Sequence, residues 1–338
     1  MNLGAQCVKA VHIRALPTML ATLLGLSMQG SLLAQFNDKH AVLDDNRRFR
    51  VEETSDRLIL RSSGKLVAEF VFRDAKIRRP YFANVHAPSG VRVTRTHPPI
   101  AGVDAMDHDT MHPGLWLGLG DVSGVDFWRN EGTIEHLRFI TKPTVSGQGV
   151  RFATESRLLS PDGMEICRLT SRFQLAAHPA GWLLIWEATF RSDERDFTFG
   201  DQEEMGFGAR VATQLTEKAG GLIVNSHGRK TAANTWGQPA LWCDYSGVAI
   251  DRPAGITLMS DPANFRTSWW HNRDYGVFVA NPFGRAAMKQ GPNSQVTVRR
   301  GKPFRICFAA MAHDTTEYKP AKAYQDFLNQ LKQRSTDD

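Results

Sequence analysis

From Phe49 to Ala310 apolar and polar positions alternate in short runs, broken by clusters of Gly, Pro, Asn and Asp. A period of two sends successive side chains to opposite faces of a strand, so the pattern predicts strands with little helix between them. "RFRVEETSDRLILRSSGKLVAEFVF" reads as three strands with turns at TSD and SSGK, and "FRICFAAMA" as another near the end. In "GWLLIWEATF", Trp182, Leu184, Trp186, Ala188 and Phe190 share one face, and Leu183, Ile185, Glu187 and Thr189 the other. Both faces are apolar enough to be covered, which requires large packed sheets rather than a small barrel. Only the tail changes period. "KPAKAYQDFLNQLKQ" sets Ala321, Tyr324, Phe327, Leu328 and Leu331 at helical spacing behind Pro320, predicting an amphipathic helix over about 318–334. The expected fold is all-β: a large antiparallel β-sandwich with one C-terminal α-helix. No internal repeat or low-complexity linker divides it, so residues 35–338 are read as one domain.

The first 34 residues read differently. Lys9 and Arg14 precede the apolar run Ala15–Leu26, and a polar stretch leads to Ala34. This is the layout of a cleaved export signal, shorter than the roughly 20 apolar residues of a membrane span. The mature chain is therefore expected to be exported, in the periplasm, with no membrane span. Cleavage removes two positive charges from a formal net charge of +6, leaving +4. No run of Lys or Arg exceeds two residues (Arg47 with Arg48, Arg299 with Arg300), which excludes a nucleic-acid stripe. Cys167, Cys243 and Cys307 remain, without C-x-x-C spacing, so no zinc-thiolate centre is expected; one disulfide among the three stays open.

Four stretches carry the candidate chemistry. "MDHDTMHPGLWLGLGDVSGVDFW" holds His108 and His112, four apart and flanked by Asp107 and Asp109, with His97 upstream; Gly114, Gly118, Gly120 and Gly124 permit tight turns. It reads as a loop rimming a pocket. In "FGDQEEMGFGARVATQ", a strand over Gln202–Val211 places Glu203, Met205, Phe207 and Ala209 on one face and Glu204, Gly206, Gly208 and Arg210 on the other. Glycines on a strand face leave room for a ligand, so Glu204 is expected to meet it, or else to pair with Arg210. Glu203, among apolar neighbours, is expected to have a raised pKa suited to a general acid. "NFRTSWWHNRDYGVFVANPFGR" aligns His271, Arg273 and Tyr275, then Asn281, with Arg266, Trp269 and Trp270 nearby: a polar pocket with aromatic walls, suited to a sugar. "NSHGRKTAANTWGQPALWCDYSG" adds Asn225, His227 and Trp236.

Those stretches, from about Tyr81 to Ala310, resemble the bacterial proteins labelled methane oxygenase PmoA, a family otherwise treated as a domain of unknown function. Many relatives carry a denser Asp-His-Pro-His-His-Arg-Gly-Leu-Trp segment; Asp107 to Trp116 lacks one imidazole and the arginine, so a strict three-histidine metal site is not carried over. Oxygenase activity is not carried over either, because a membrane oxygenase subunit needs several spanning helices. The architecture is similar to the galactose mutarotase-like supersandwich.

Three readings follow. The first is a carbohydrate-active lyase, epimerase or hydrolase using His108, His112, Glu203, Glu204 and His271 as acid–base groups. His97, Asn225, His227, Trp236, Arg266, Trp270, Arg273, Tyr275 and Asn281 would then bind the saccharide or other small-molecule ligand. The second is a non-catalytic periplasmic saccharide-binding accessory protein using the same pocket. The third is a metalloenzyme ligated by His97, His108 and His112; the first two need neither metal nor cofactor.

Overall fold

Two eight-stranded antiparallel sheets lie face to face in the computed structural model, which describes residues 49–147 and 149–337. The export-signal reading concerns residues 1–34, outside the described residues. The first sheet runs Phe49–Glu53, Arg57–Ser62, Lys65–Val71, Tyr81–Ala83, Leu115–Gly118, Gly206–Arg210, Val277–Asn281, Trp269–Asn272. The second runs Leu222–Asn225, Trp242–Ala249, Arg252–Ser260, Phe304–His313, Gly181–Arg191, Glu165–His178, Gly149–Leu159, Thr133–Ser146. A two-stranded sheet pairs Phe197–Phe199 with Val296–Val298.

The three N-terminal strands and their turns fall where the alternation puts them. Aromatic side chains join the sheets: Phe70 meets Phe173 at 4.8 Å, Phe82 meets Trp186 at 5.8 Å, and Phe207 stacks on Phe308 at 5.6 Å. Both faces of Gly181–Arg191 are covered. Trp182, Leu184, Trp186, Ala188 and Phe190 enter the intersheet core, while Leu183 and Ile185 lie against the helix Pro320–Asp337 through Ala323, Tyr324 and Phe327. The helix keeps the expected spacing except at Ala321, which is exposed; Ala323 packs instead. Cys167, Cys243 and Cys307 are buried free thiols, each held above the ordinary range by burial, so no disulfide joins them.

The first sheet also packs on its outer face. Register aligns Tyr81, Trp116, Gly208, Val279 and His271 in one row across five strands, pointing away from the second sheet. The space above Gly208 was expected to admit a ligand. It is filled by the indole of Trp116: a Cβ on Gly208 would come within 2.7 Å of Trp116 Cε2. Trp116, Trp128, Tyr81, Val277 and Val279 form a second apolar cluster there, partly roofed by Met111 and Tyr275.

Gly208→Ala therefore overpacks this outer layer, and we expect a loss of about 1–3 kcal/mol, seen as a lower urea midpoint. An unchanged midpoint would show that Trp116 is not held over Gly208.

Candidate functional site

Two ionic clusters stand on that outer face. The first is the segment 98–114, which forms almost no regular secondary structure. Backbone carbonyls buried without partners are costly, and here guanidinium groups answer them. Arg95, 1% exposed, donates to the carbonyls of Ala105, Asp107, His108 and His112. Arg79, 3% exposed, donates to those of Met111 and Trp128 and to Asn130 Oδ1. Arg210 forks Asp107 through Nη1–Oδ2 at 3.1 Å and Nη2–Oδ1 at 3.0 Å, and donates to His112 Nδ1 at 3.3 Å. Burial alone would raise the Asp107 pKa, but His108, Arg210 and Arg95 hold it well below the carboxylate range.

His112 is buried and stacks on Trp116 at 5.2 Å. Burial and the charges of Arg210, His108 and Arg95 push its pKa well down, so the ring is neutral. Because guanidinium can only donate, Nδ1 is the acceptor and the proton resides on Nε2. His108 is more exposed, lies in the left-handed region (φ 51°), and places Nδ1 2.9 Å from Asp107 Oδ2.

His97 does not join them. Its Nε2 lies 3.1 Å from the Tyr81 hydroxyl, which donates to Asp74, and it lines a separate cleft of about 530 Å³ with Arg57, Arg73, Lys76 and Asp109. The three-histidine metal reading is thereby overturned: its ligands face two different spaces. In that cleft Arg57 is neutralised by Asp56 and Glu69, and Asp74 is occupied by two backbone N–H groups and Tyr81.

The second cluster is more open. The strand expected over Gln202–Val211 begins only at Gly206, leaving Glu203 and Glu204 in a loop. Both ends of that loop are fixed. Asp201 accepts from the backbone N–H of Ala286, Ala287 and Ser294, and Met205 is fully buried. Between them Asn281 Nδ2 donates to the carbonyls of Gln202 and Glu203, at 2.7 and 2.9 Å. The Glu204 carbonyl lies so near Gly118 that a Cβ there would come within 2.4 Å of it.

On this platform three side chains converge on Glu203 Oε1, two of them as hydrogen-bond donors. Arg273 Nη2 lies at 2.6 Å and Trp236 Nε1 at 2.9 Å, both as hydrogen bonds. His271 Nδ1 lies at 2.9 Å, a close contact off the line a ring N–H bond requires. Burial works to raise the Glu203 pKa, yet His271, Arg273 and Trp236 outweigh it and bring it down to about 2. Glu203 is thus a permanent anion, not the general acid expected from its apolar neighbours. Nor does Glu204 pair with Arg210; its nearest cation is Arg129 Nη2 at 3.7 Å, shared with Asp126.

The clusters share a border. Arg210 lies over the Tyr275 ring at 4.6 Å, and Arg129 over the Trp128 ring at 4.8 Å. His108 and His112 thus meet in one cluster, and Glu203, Glu204, Trp236, His271 and Arg273 in the other, with Tyr275 between. The remaining candidates stand elsewhere or serve the frame. Asn281 is fully buried and positions the loop. Trp270 is a core side chain bonded to the Ala240 carbonyl. Arg266 holds Ser294 and the Pro282 carbonyl. Asn225 closes its own turn by accepting from the N–H of His227 and Arg229, and His227 is exposed. Arg79, Arg95 and Asp201 escaped the sequence reading, since a lone Arg or Asp in a strand or loop has no spacing to mark it.

A family model described as "Family of unknown function (DUF6807)" matches residues 57–327, a description that makes no reference to PmoA. Among curated proteins none matches the chain. Solved structures similar to it include a mutant heparan sulfate lyase HepC from Pedobacter heparinus, at 7% identity and TM-score 0.37 over 81% of this chain and 36% of that one. A galactose mutarotase-like protein from Lactobacillus casei ATCC 334 gives 10% identity and TM-score 0.31 over 78% and 100%. A 4-alpha-glucanotransferase from Thermococcus litoralis gives 9% and 0.28 over 80% and 38%. The chain thus spans about a third of the lyase's length, and at such TM-scores none of these likenesses bears on function. No helix among the described residues is long and apolar enough to cross a membrane.

The neutral, buried His112 sets a pH dependence. Its folded pKa lies below the ordinary 6.5, so the unfolded chain binds the proton more readily. Stability present above pH 6.5 is therefore lost progressively as pH falls below it. His112→Gln should lower the urea midpoint at pH 7.5 yet show a smaller further drop at pH 5 than wild type; equal drops would refute a neutral buried imidazole.

Proposed function

Since the chain belongs to DUF6807, a family that brings no activity with it, we propose from the site itself that the outer face of the first sheet binds a saccharide or modified glycoside, held by the Glu203 carboxylate, and acts on it through Glu204 and His271. The carrying observation is the convergence of Trp236, His271 and Arg273 on one oxygen of Glu203. Sugar hydroxyls need acceptors and donors together, and sugar C–H faces need an aromatic surface. Glu203 keeps its second oxygen uncommitted among the described residues, while Arg273 and Trp236 are partly exposed beside it. Fixing these groups in advance removes the entropy of ordering them on binding. The same proposal puts the mature protein in the periplasm, on the strength of the apolar run Ala15–Leu26 behind Lys9 and Arg14. The PmoA-like resemblance brings no oxygenase step into this proposal.

One observation favours a second reading, a non-catalytic saccharide-binding protein. A carboxylate with a pKa of about 2 does not exchange protons near neutrality, so Glu203 recognises and orients rather than acting as acid or base.

Calorimetric titration of mono- and disaccharides, neutral and oxidised, tests the site. Arg273→Ala and Trp236→Ala should each weaken the best ligand at least tenfold, and Arg266→Ala should leave it unchanged. No binding by any sugar, or equal weakening in all three variants, would overturn the proposal. NMR of the bound sugar over hours then separates the readings: a new product means catalysis, an unchanged spectrum a binder.

A further inference from the structure

Among the described residues two groups bring three metal-ligating side chains within 4.8 Å of one another: Asp107, His108 and His112, and Glu203, Glu204 and His271. The first group already holds a cation. Arg210 occupies both oxygens of Asp107 and the Nδ1 of His112, and His108 Nδ1 rests on Asp107.

The second group has ligand atoms to spare. No hydrogen bond among the described residues reaches Glu203 Oε2 or either Glu204 carboxylate oxygen, and the contact of Glu204 with Arg129 is loose at 3.7 Å. His271 is 2% exposed, yet its Nδ1 has no hydrogen-bond partner, an arrangement that burial makes costly. That nitrogen faces Glu203 Oε1 at 2.9 Å. Oε1 already accepts from Arg273 and Trp236, so an ion would meet Glu203 through the free Oε2, beside the unpaired His271 nitrogen and the Glu204 carboxylate, whose ligand atoms lie within 4.8 Å of one another.

We infer that Glu203, Glu204 and His271 hold one divalent transition-metal ion, an inference that rests on the proposal above for the location of the ligand site and deepens it. Arg273 and Trp236 are the outer donors that fix the Glu203 carboxylate, as groups behind a metal ligand commonly do. One imidazole with two carboxylates suits Zn²⁺ or Mn²⁺. Three protein ligands leave positions open for water or for a pair of saccharide hydroxyls.

The test uses the full-length protein, stripped with EDTA and titrated calorimetrically with ZnCl2 and with MnCl2, followed by metal analysis after gel filtration. We expect one equivalent of one of these ions, bound at least tenfold more weakly by Glu204→Gln and by Glu203→Gln, and unchanged in His108→Ala. Glu204 is partly exposed in a loop, and unfolding curves of Glu204→Gln check that the variant is folded. Uptake of neither ion, equal affinity in folded Glu204→Gln, or loss of binding in His108→Ala overturns the inference. Saccharide titrations with and without the ion keep the two ideas apart. Sugar binding by a protein that takes up no ion removes the metal and leaves the saccharide site, whereas ion uptake without binding of any sugar does the reverse.

Discussion

Three buried guanidinium groups set the geometry on which the outer face depends. The segment 98–114 crosses the sheet without a ladder of its own, so its carbonyls need partners from elsewhere. Arg79 supplies them from just before the strand Tyr81–Ala83 and Arg95 from beside the end of Gly206–Arg210, while Arg210 anchors the segment through Asp107. Each guanidinium presents five N–H groups in a rigid fork, which lets one side chain fix several carbonyls at once. Lysine at Arg95 would offer a point charge on a flexible stem and could not hold four carbonyls in place.

Placing Arg95 and Arg210 together is expensive. Each cation costs roughly several kcal/mol to remove from water, and their repulsion adds to it. Burial and the charge of Arg210 together depress the Arg95 pKa to about 10. Asp107 offsets this as the shared counter-ion, held ionised by His108, Arg210 and Arg95 against the effect of burial. The arrangement explains why the segment is so rich in Asp and His: Asp107 and His112 neutralise and cap a pair of internal cations. His112 completes it as a neutral acceptor, wedged between Arg210 and the indole of Trp116.

The alternation of apolar residues was enough to read the sandwich, its doubly covered central strand and the terminal helix, because each follows from local period and burial. The meeting of His271 with Arg273 was also legible, since both sit on one face of a short hairpin. Glu203 was misread for a reason the sequence conceals. Its loop looks like strand, but Asp201 accepts three backbone N–H groups from residues some 85 to 93 positions away and pulls the chain off the ladder. The same long-range contacts reverse the electrostatics. Apolar neighbours in sequence argue for a raised pKa, whereas the residues that meet Glu203 in space are an imidazole, a guanidinium and an indole N–H. His97 was lost to its group in the same way, diverted by the Tyr81 hydroxyl.

Similar ingredients give two unlike clusters because their hydrogen-bonding capacity is spent differently. At Asp107 a bidentate guanidinium uses both oxygens and reaches the nearest imidazole, so the cluster is closed and serves the frame. At Glu203 the donors crowd on one oxygen and leave the other oxygen, the Glu204 carboxylate and a buried imidazole nitrogen unspent. Buried polar capacity left unpaired costs stability, and each such group calls for an explanation. The cleft beside His97 makes the contrast from the other side. It is spacious, but Arg57 is spent there on Asp56 and Glu69, and Asp74 on two backbone N–H groups and Tyr81. Position on this sheet is fixed by the closed cluster, and the open one keeps the hydrogen-bonding capacity that the proposed ligand would use.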